Sequence, residues 1–120
     1  MKPIERLKLG LERVRIGWTT DAYSETSTGA DAEFPWSPDA VQWCTVGALR
    51  DKDWICDPSY EEALDLLYRA SESECTSEHG SFVSLGISLA NWNDTQGRTQ
   101  QDVIDLYREA ITLAEEKEVT

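Results

Sequence analysis

One histidine and three cysteines restrict the chemistry open to this chain of 120 residues. Zinc sites draw on clustered Cys and His. Here His79 stands alone, and Cys44, Cys56 and Cys75 are far apart with no Cys-x-x-Cys pair. Cys75 and His79 would meet only if the segment between them were helical, and that segment is acidic and polar. An odd, scattered set of cysteines is no disulfide framework and points to a reducing cytoplasm. Long apolar runs are missing too. Phe82–Trp92 is the best of them, and Ser84, Gly86, Ser88 and Asn91 interrupt it, whereas a membrane span needs about 20 apolar residues. The opening Ile4-Glu5-Arg6-Leu7-Lys8 alternates charge with apolar groups, unlike a secretory leader. Neither Gly-x-Ser-x-Gly nor a Gly-Lys-Ser/Thr phosphate loop occurs, so the simplest signatures of serine hydrolysis and nucleotide binding are absent. Asp51, Asp53, Asp57 and Glu62 approach a calcium-loop spacing, but Cys56 stands where that loop needs glycine. No metal or other cofactor is expected, and the balance leans away from an enzyme.

Positive charge is the next scarcity. Eleven bases face 23 acids, a net charge of −12. The bases crowd the start, where Lys2, Arg6, Lys8, Arg13 and Arg15 outnumber Glu5 and Glu12. Residues 18–49 hold Asp21, Glu25, Asp31, Glu33 and Asp39 and no base at all. Phosphates repel such a field, which disfavours direct binding to nucleic acid. Basic protein surfaces are attracted to it. Acids on helix faces also keep small proteins dispersed, so solubility competes with recognition as their role.

The length fits one domain that buries roughly two thirds of its unfolded surface. Apolar residues make up 40%, which is no disordered composition. Periodicity and caps predict an all-α domain of about five helices. The first spans residues 3–17, with Pro3 in its first turn and Ile4, Leu7, Leu11 and Val14 as its apolar stripe. The bases are expected away from that stripe. Residues 18–36 read as a long loop pinned by Trp18, Tyr23, Phe34 and Trp36, with Thr28-Gly29 allowing a short hairpin. Ser37-Pro38-Asp39 reads as a helix start. The helix expected from there to Arg50 carries Ala40, Cys44, Gly47 and Ala48 on one face, a small-residue stripe suited to a homodimer. Ser59 and Glu62 have the spacing of a capping box, opening a helix to Ala70 with Tyr60, Ala63, Leu64 and Leu67 inside. Phe82–Ala90 is apolar on nearly all sides, as in a central buried helix. Thr99 and Asp102 cap the last helix, whose wide apolar face includes Val103, Leu106, Tyr107 and Ala110.

Two blocks stand out. The first is Ser37-Pro38-Asp39-Ala40-Val41-Gln42-Trp43-Cys44-Thr45-Val46-Gly47-Ala48-Leu49. The second is Trp92-Asn93-Asp94 followed by Gly97-Arg98-Thr99-Gln100. Together they resemble a family of small uncharacterised domains in bacteria and their phages, over roughly residues 5–115. The resemblance implies a mostly helical domain in a phage or mobile-element setting. It implies no catalytic residue.

Two candidate sites follow. The leading one is a docking face for a basic protein, on Asp57, Glu61, Asp65, Glu72 and Glu74. The acids are densest in the aromatic loop and around the third helix, and a partner would dock there. In its sharpest form this is a nucleic-acid mimic that inhibits a host defence effector such as a CRISPR nuclease. The alternative is a small-ligand or enzymatic site on Trp92, Asn93, Asp94 and Arg98, where Arg98 grips Asp94 or an incoming anion. Trp18, Tyr23, Trp36, Trp43 and Trp54 are further candidates for its wall. The expected state is monomer or homodimer, without a membrane partner.

Overall fold

Residues 1–71 and 82–119 are described by the structure, a computed structural model. The expectation of an all-α protein is overturned. Among the described residues four α-helices accompany a two-stranded antiparallel sheet. In chain order the elements are α1 (Pro3–Ile16), β1 (Ser24–Thr26), β2 (Ala40–Trp43), α2 (Pro58–Ala70), α3 (Phe82–Asn93) and α4 (Gln100–Val119). Short 3-10 turns occupy Gly47–Leu49 and Trp54–Cys56.

The helix expected from Ser37 to Arg50 does not form. Its start signal closes a turn instead: the Ser37 hydroxyl accepts a hydrogen bond from the Phe34 amide at 2.9 Å. The chain then extends through Val41, Gln42 and Trp43, where β-branched and aromatic side chains suit a strand. Ser24 pairs with Trp43, Glu25 with Gln42, and Thr26 with Ala40 across an irregularity. The small residues are therefore no helix face. Ala40, Cys44, Gly47 and Ala48 are buried inside the molecule, so the homodimer stripe read from them does not exist. Gly47 is required by a close approach, since a Cβ there would overlap the Tyr23 backbone. A tight turn does form near Thr28-Gly29. The Thr26 amide reaches the Ala30 carbonyl at 2.8 Å, and Gly29 turns the chain at φ +84.

Four packed helices and the sheet share one core. α4 packs on α1 and α2, and α2 also packs on α3. Leu7, Val14, Leu49, Leu64, Leu67, Leu89 and Val103 are fully buried at its centre. Tyr107 is buried among them, and its hydroxyl donates to the Thr45 carbonyl at 2.6 Å, tying α4 to the segment after β2. α3 is less enclosed than its composition suggests, because Ile87 is exposed.

Two details of α1 and α2 depart from expectation for one reason. Arg6 is fully buried rather than displayed. Its Nε donates to Ser59 Oγ at 2.8 Å, one terminal nitrogen to the Leu49 carbonyl at 2.6 Å, and the other to Asp57 Oδ2 at 2.9 Å. Ser59 is consumed as that acceptor and does not cap the helix. Asp57 caps α2 in its place, its Oδ1 accepting from the Ser59 amide at 2.9 Å. At α4 the expected box is present: Thr99 Oγ1 accepts from the Asp102 amide, and Asp102 Oδ2 accepts from the Thr99 amide.

Candidate functional site

The five acids proposed as a docking face divide sharply. Asp57 is committed to the fold through Arg6 and the α2 cap. Hydrogen bonds from the Ser59 backbone, then its hydroxyl, then Arg6 hold its carboxyl down at about 2. Asp65 pairs with Arg69 at 3.0 Å, one helical turn away. Glu61 is exposed on the surface of α2. Glu72 and Glu74 lie outside the described residues, as do Cys75 and His79.

Asn93 is completely buried at the end of α3. Its Oδ1 accepts from the Trp18 indole at 2.7 Å and from the Thr45 amide and hydroxyl at 2.9 and 2.7 Å. Its Nδ2 donates to the Thr19 carbonyl and to Asp94 Oδ1. The side chain thus fastens α3 to the loop after α1 and to the segment after β2. Arg98 turns back on Trp92, with Nε on the Trp92 carbonyl at 2.9 Å and the guanidinium 3.8 Å from the indole centroid. Trp92 itself is buried. Of the four residues in the alternative site, only Asp94 is exposed. Its Oδ1 also accepts from the Asp21 amide at 3.1 Å. Asp21 adopts φ +64 there, a left-handed backbone that Asp tolerates better than most residues.

That contact opens onto a cleft of about 440 Å³ lined by Asp21, Asp31 and Asp94, with Tyr23, Ala90 and Cys44 among its other walls. No base lines it. The three carboxylates come from the base-free stretch and from the Trp92-Asn93-Asp94 block, and Asn93 holds the Asp94 end against the loop after α1. Burial pushes the Cys44 thiol up, so it lies in the wall as an unreactive apolar group. Among the described residues no three Cys, His, Asp or Glu side chains converge as a metal site would require.

A second cleft, of about 250 Å³, shares Tyr23 and Ala90 with the first. Trp54, Tyr60 and Ile87 wall it, and Arg50 lies within it. The Arg50 guanidinium sits 4.2 Å from the Tyr23 ring centroid and 4.1 Å from that of Trp54. Its Nε donates to Tyr60 Oη at 3.0 Å. Arg98 lines a separate cleft of about 220 Å³ with Trp92, Asp102 and Asp105, while Arg50 stands against an aromatic wall here. Of the aromatic set, Tyr23 and Trp54 line this wall. Trp18 and Trp43 are spent on internal hydrogen bonds to Asn93 and to the Pro35 carbonyl, and Trp36 stacks on Phe34. The signal that would have found Arg50 is its position as the first base after the base-free stretch, between two aromatic segments.

The model of DUF6197, a family of unknown function, matches residues 10–113. The chain belongs to that family. The matched span takes in both clefts, α2, α3, half of α1 and most of α4. No curated protein and no solved structure matches the chain. Among the described residues no helix is long and apolar enough to cross a membrane.

Proposed function

We propose that this DUF6197 domain is a non-catalytic interaction module that receives a basic group of a partner protein in the Asp21–Asp31–Asp94 cleft. The observation that carries the reading is a concave site lined by three aspartates and, among the described residues, no base. A concave wall concentrates the field of its charges, so a lysine or arginine entering it gains more than it would on a flat acidic face. Tyr23 offers an aromatic surface beside the carboxylates, which suits a cation as well. The docking point therefore moves from α2, where Asp57 and Asp65 already have partners, to the loop between α1 and β2 and the end of α3.

The setting is cytoplasmic and of phage or mobile-element origin. The partner is a nucleic-acid-binding protein, such as a defence effector, whose phosphate channel the acidic domain occupies. The net charge of −12 supports this form, because it both attracts basic channels and repels nucleic acid.

Binding to basic nucleic-acid-binding effectors at rising salt tests the reading. Affinity should fall steeply with salt, and nucleic acid should compete. Changing Asp21, Asp31 and Asp94 together to Asn should weaken binding by about tenfold or more, a loss of roughly 1.4 kcal/mol. Changing Asp105, Glu109 and Glu116 on α4 should leave it within about twofold. Equal losses from the two sets would mean that a diffuse field is at work and the cleft is not the site.

A further inference from the structure

The proposed function leaves Arg50 unexplained. It is half-buried, yet among the described residues its two terminal nitrogens have neither a carboxylate nor a hydrogen-bond acceptor. Only Nε is engaged, on the Tyr60 hydroxyl. The central carbon of the guanidinium lies over the Tyr23 and Trp54 rings, 4.2 and 4.1 Å from their centroids, so both rings restrict the side chain. What remains for a ligand is the in-plane edge with its two N–H groups. A planar carboxylate meets that edge with two parallel hydrogen bonds. The side chain is held ready, so little rotamer freedom is lost on binding.

The surroundings select among anions. Asp21, Asp31 and Asp94 lie in the adjoining cleft, across the shared Tyr23 and Ala90 wall. In a protein of net charge −12, a dianionic phosphate would be repelled about twice as strongly as a carboxylate of single charge. The same aspartates favour a ligand that carries its own cation beside its carboxylate. A polypeptide that ends in lysine or arginine has both groups within one residue.

We propose that Arg50 is a carboxylate-binding subsite, and that the two clefts together take the C-terminal lysine or arginine of a partner chain. The terminal carboxylate sits on the Arg50 edge and the basic side chain among the aspartates. This inference rests on the proposed function for the cationic half, and Arg50 adds the other half.

Calorimetry on the full chain with short synthetic peptides tests it. One peptide ends in lysine with a free carboxylate, a second is its C-terminal amide, and a third is an amidated peptide with an internal Lys-Asp pair. The free C-terminal lysine should bind on the order of tenfold tighter than the amide, the scale of a charge-assisted hydrogen bond. Arg50→Lys keeps the charge and length but lacks the fork, and should remove most of that preference while the amide binds as before. Its amide NMR spectrum checks that the fold persists. Equal binding of acid and amide would overturn the Arg50 subsite and leave the basic-group reading standing. An internal Lys-Asp peptide that binds as tightly as the free terminus would overturn the C-terminal assignment. If no lysine peptide binds at all, both this inference and the function it rests on fall.

Discussion

Arg6 shows how a charged side chain becomes structural. It has no exposed surface and gives hydrogen bonds to Ser59, Asp57 and the Leu49 carbonyl, so the start of α2 and the turn at Leu49 converge on one guanidinium from α1. Asp51 approaches the same group at 3.5 Å. Breaking a buried pair by removing one partner is costly because the remaining groups lose their compensation. Arg6→Ala should therefore lower unfolding free energy by about 3–5 kcal/mol in urea titrations, far beyond a surface arginine. The Asp57 half of the pair has a pH signature. Its carboxyl titrates at about 2 in the fold, below the unfolded value of roughly 3.9. The stability it confers is thus complete above pH about 4 and is lost as pH falls towards 2. Urea midpoints between those limits should fall less steeply for Asp57→Asn than for the unaltered protein. Parallel slopes would mean that other carboxylates set the acid limb. Neither Arg6 nor Asn93 could be assigned a role from neighbouring residues. The Arg6 partners Ser59 and Asp57 lie 53 and 51 positions away, and Asn93 reaches Trp18 across 75. Local pattern carries no information about such pairings.

Elements were legible where local chemistry and burial agreed. α1 and α4 have apolar residues at helical spacing, and the Thr99–Asp102 box stands where its two side chains predict. The segment 37–50 misled because the same Ser-Pro-Asp residues that start helices also close turns. What decides there is Trp43, whose indole donates to the Pro35 carbonyl at 2.7 Å and holds the chain extended beside β1. The cleft was half legible: the base-free stretch marked Asp21 and Asp31, and Trp92-Asn93-Asp94 marked the third acid. Their placement around one cleft needs β2 in place of a helix, so it was out of reach. The α1–α4 contact offers its own test. Gly10 on α1 faces Tyr107, and a Cβ at that position would overlap the phenol ring. The ring has little room to retreat, since its hydroxyl is anchored on the Thr45 carbonyl and the side chain is fully buried. Ala normally favours a helix over Gly by up to about 1 kcal/mol. Here Gly10→Ala should instead destabilise by about 1–3 kcal/mol, the cost of overpacking. A thermal midpoint above that of the unaltered protein would show that α1 shifts to make room.

At the scale of the whole molecule, charge is sorted rather than spread. α1 carries four of the eleven bases and packs against α2 and α4, whose outer surfaces hold exposed acids such as Glu61, Glu62, Glu115 and Glu116. Among the described residues the Asp21–Asp31–Asp94 cleft has no base in its lining, and Arg50 stands beyond the wall it shares with the second cleft. If those acids exist to receive a basic group, they repel one another while the cleft is empty, and the free domain bears a stability cost for its binding site. Asp31 isolates the effect, because its carboxylate caps no element and pairs with no base among the described residues. Asp31→Asn should raise the unfolding free energy by about 0.2–0.5 kcal/mol at low ionic strength. The gain should shrink near 0.15 M salt, where the screening length is about 8 Å. The same substitution should weaken capture of a basic partner. A variant that loses stability at low salt would show that Asp31 supports the fold, and the cleft would then have no need of a partner to explain its charge.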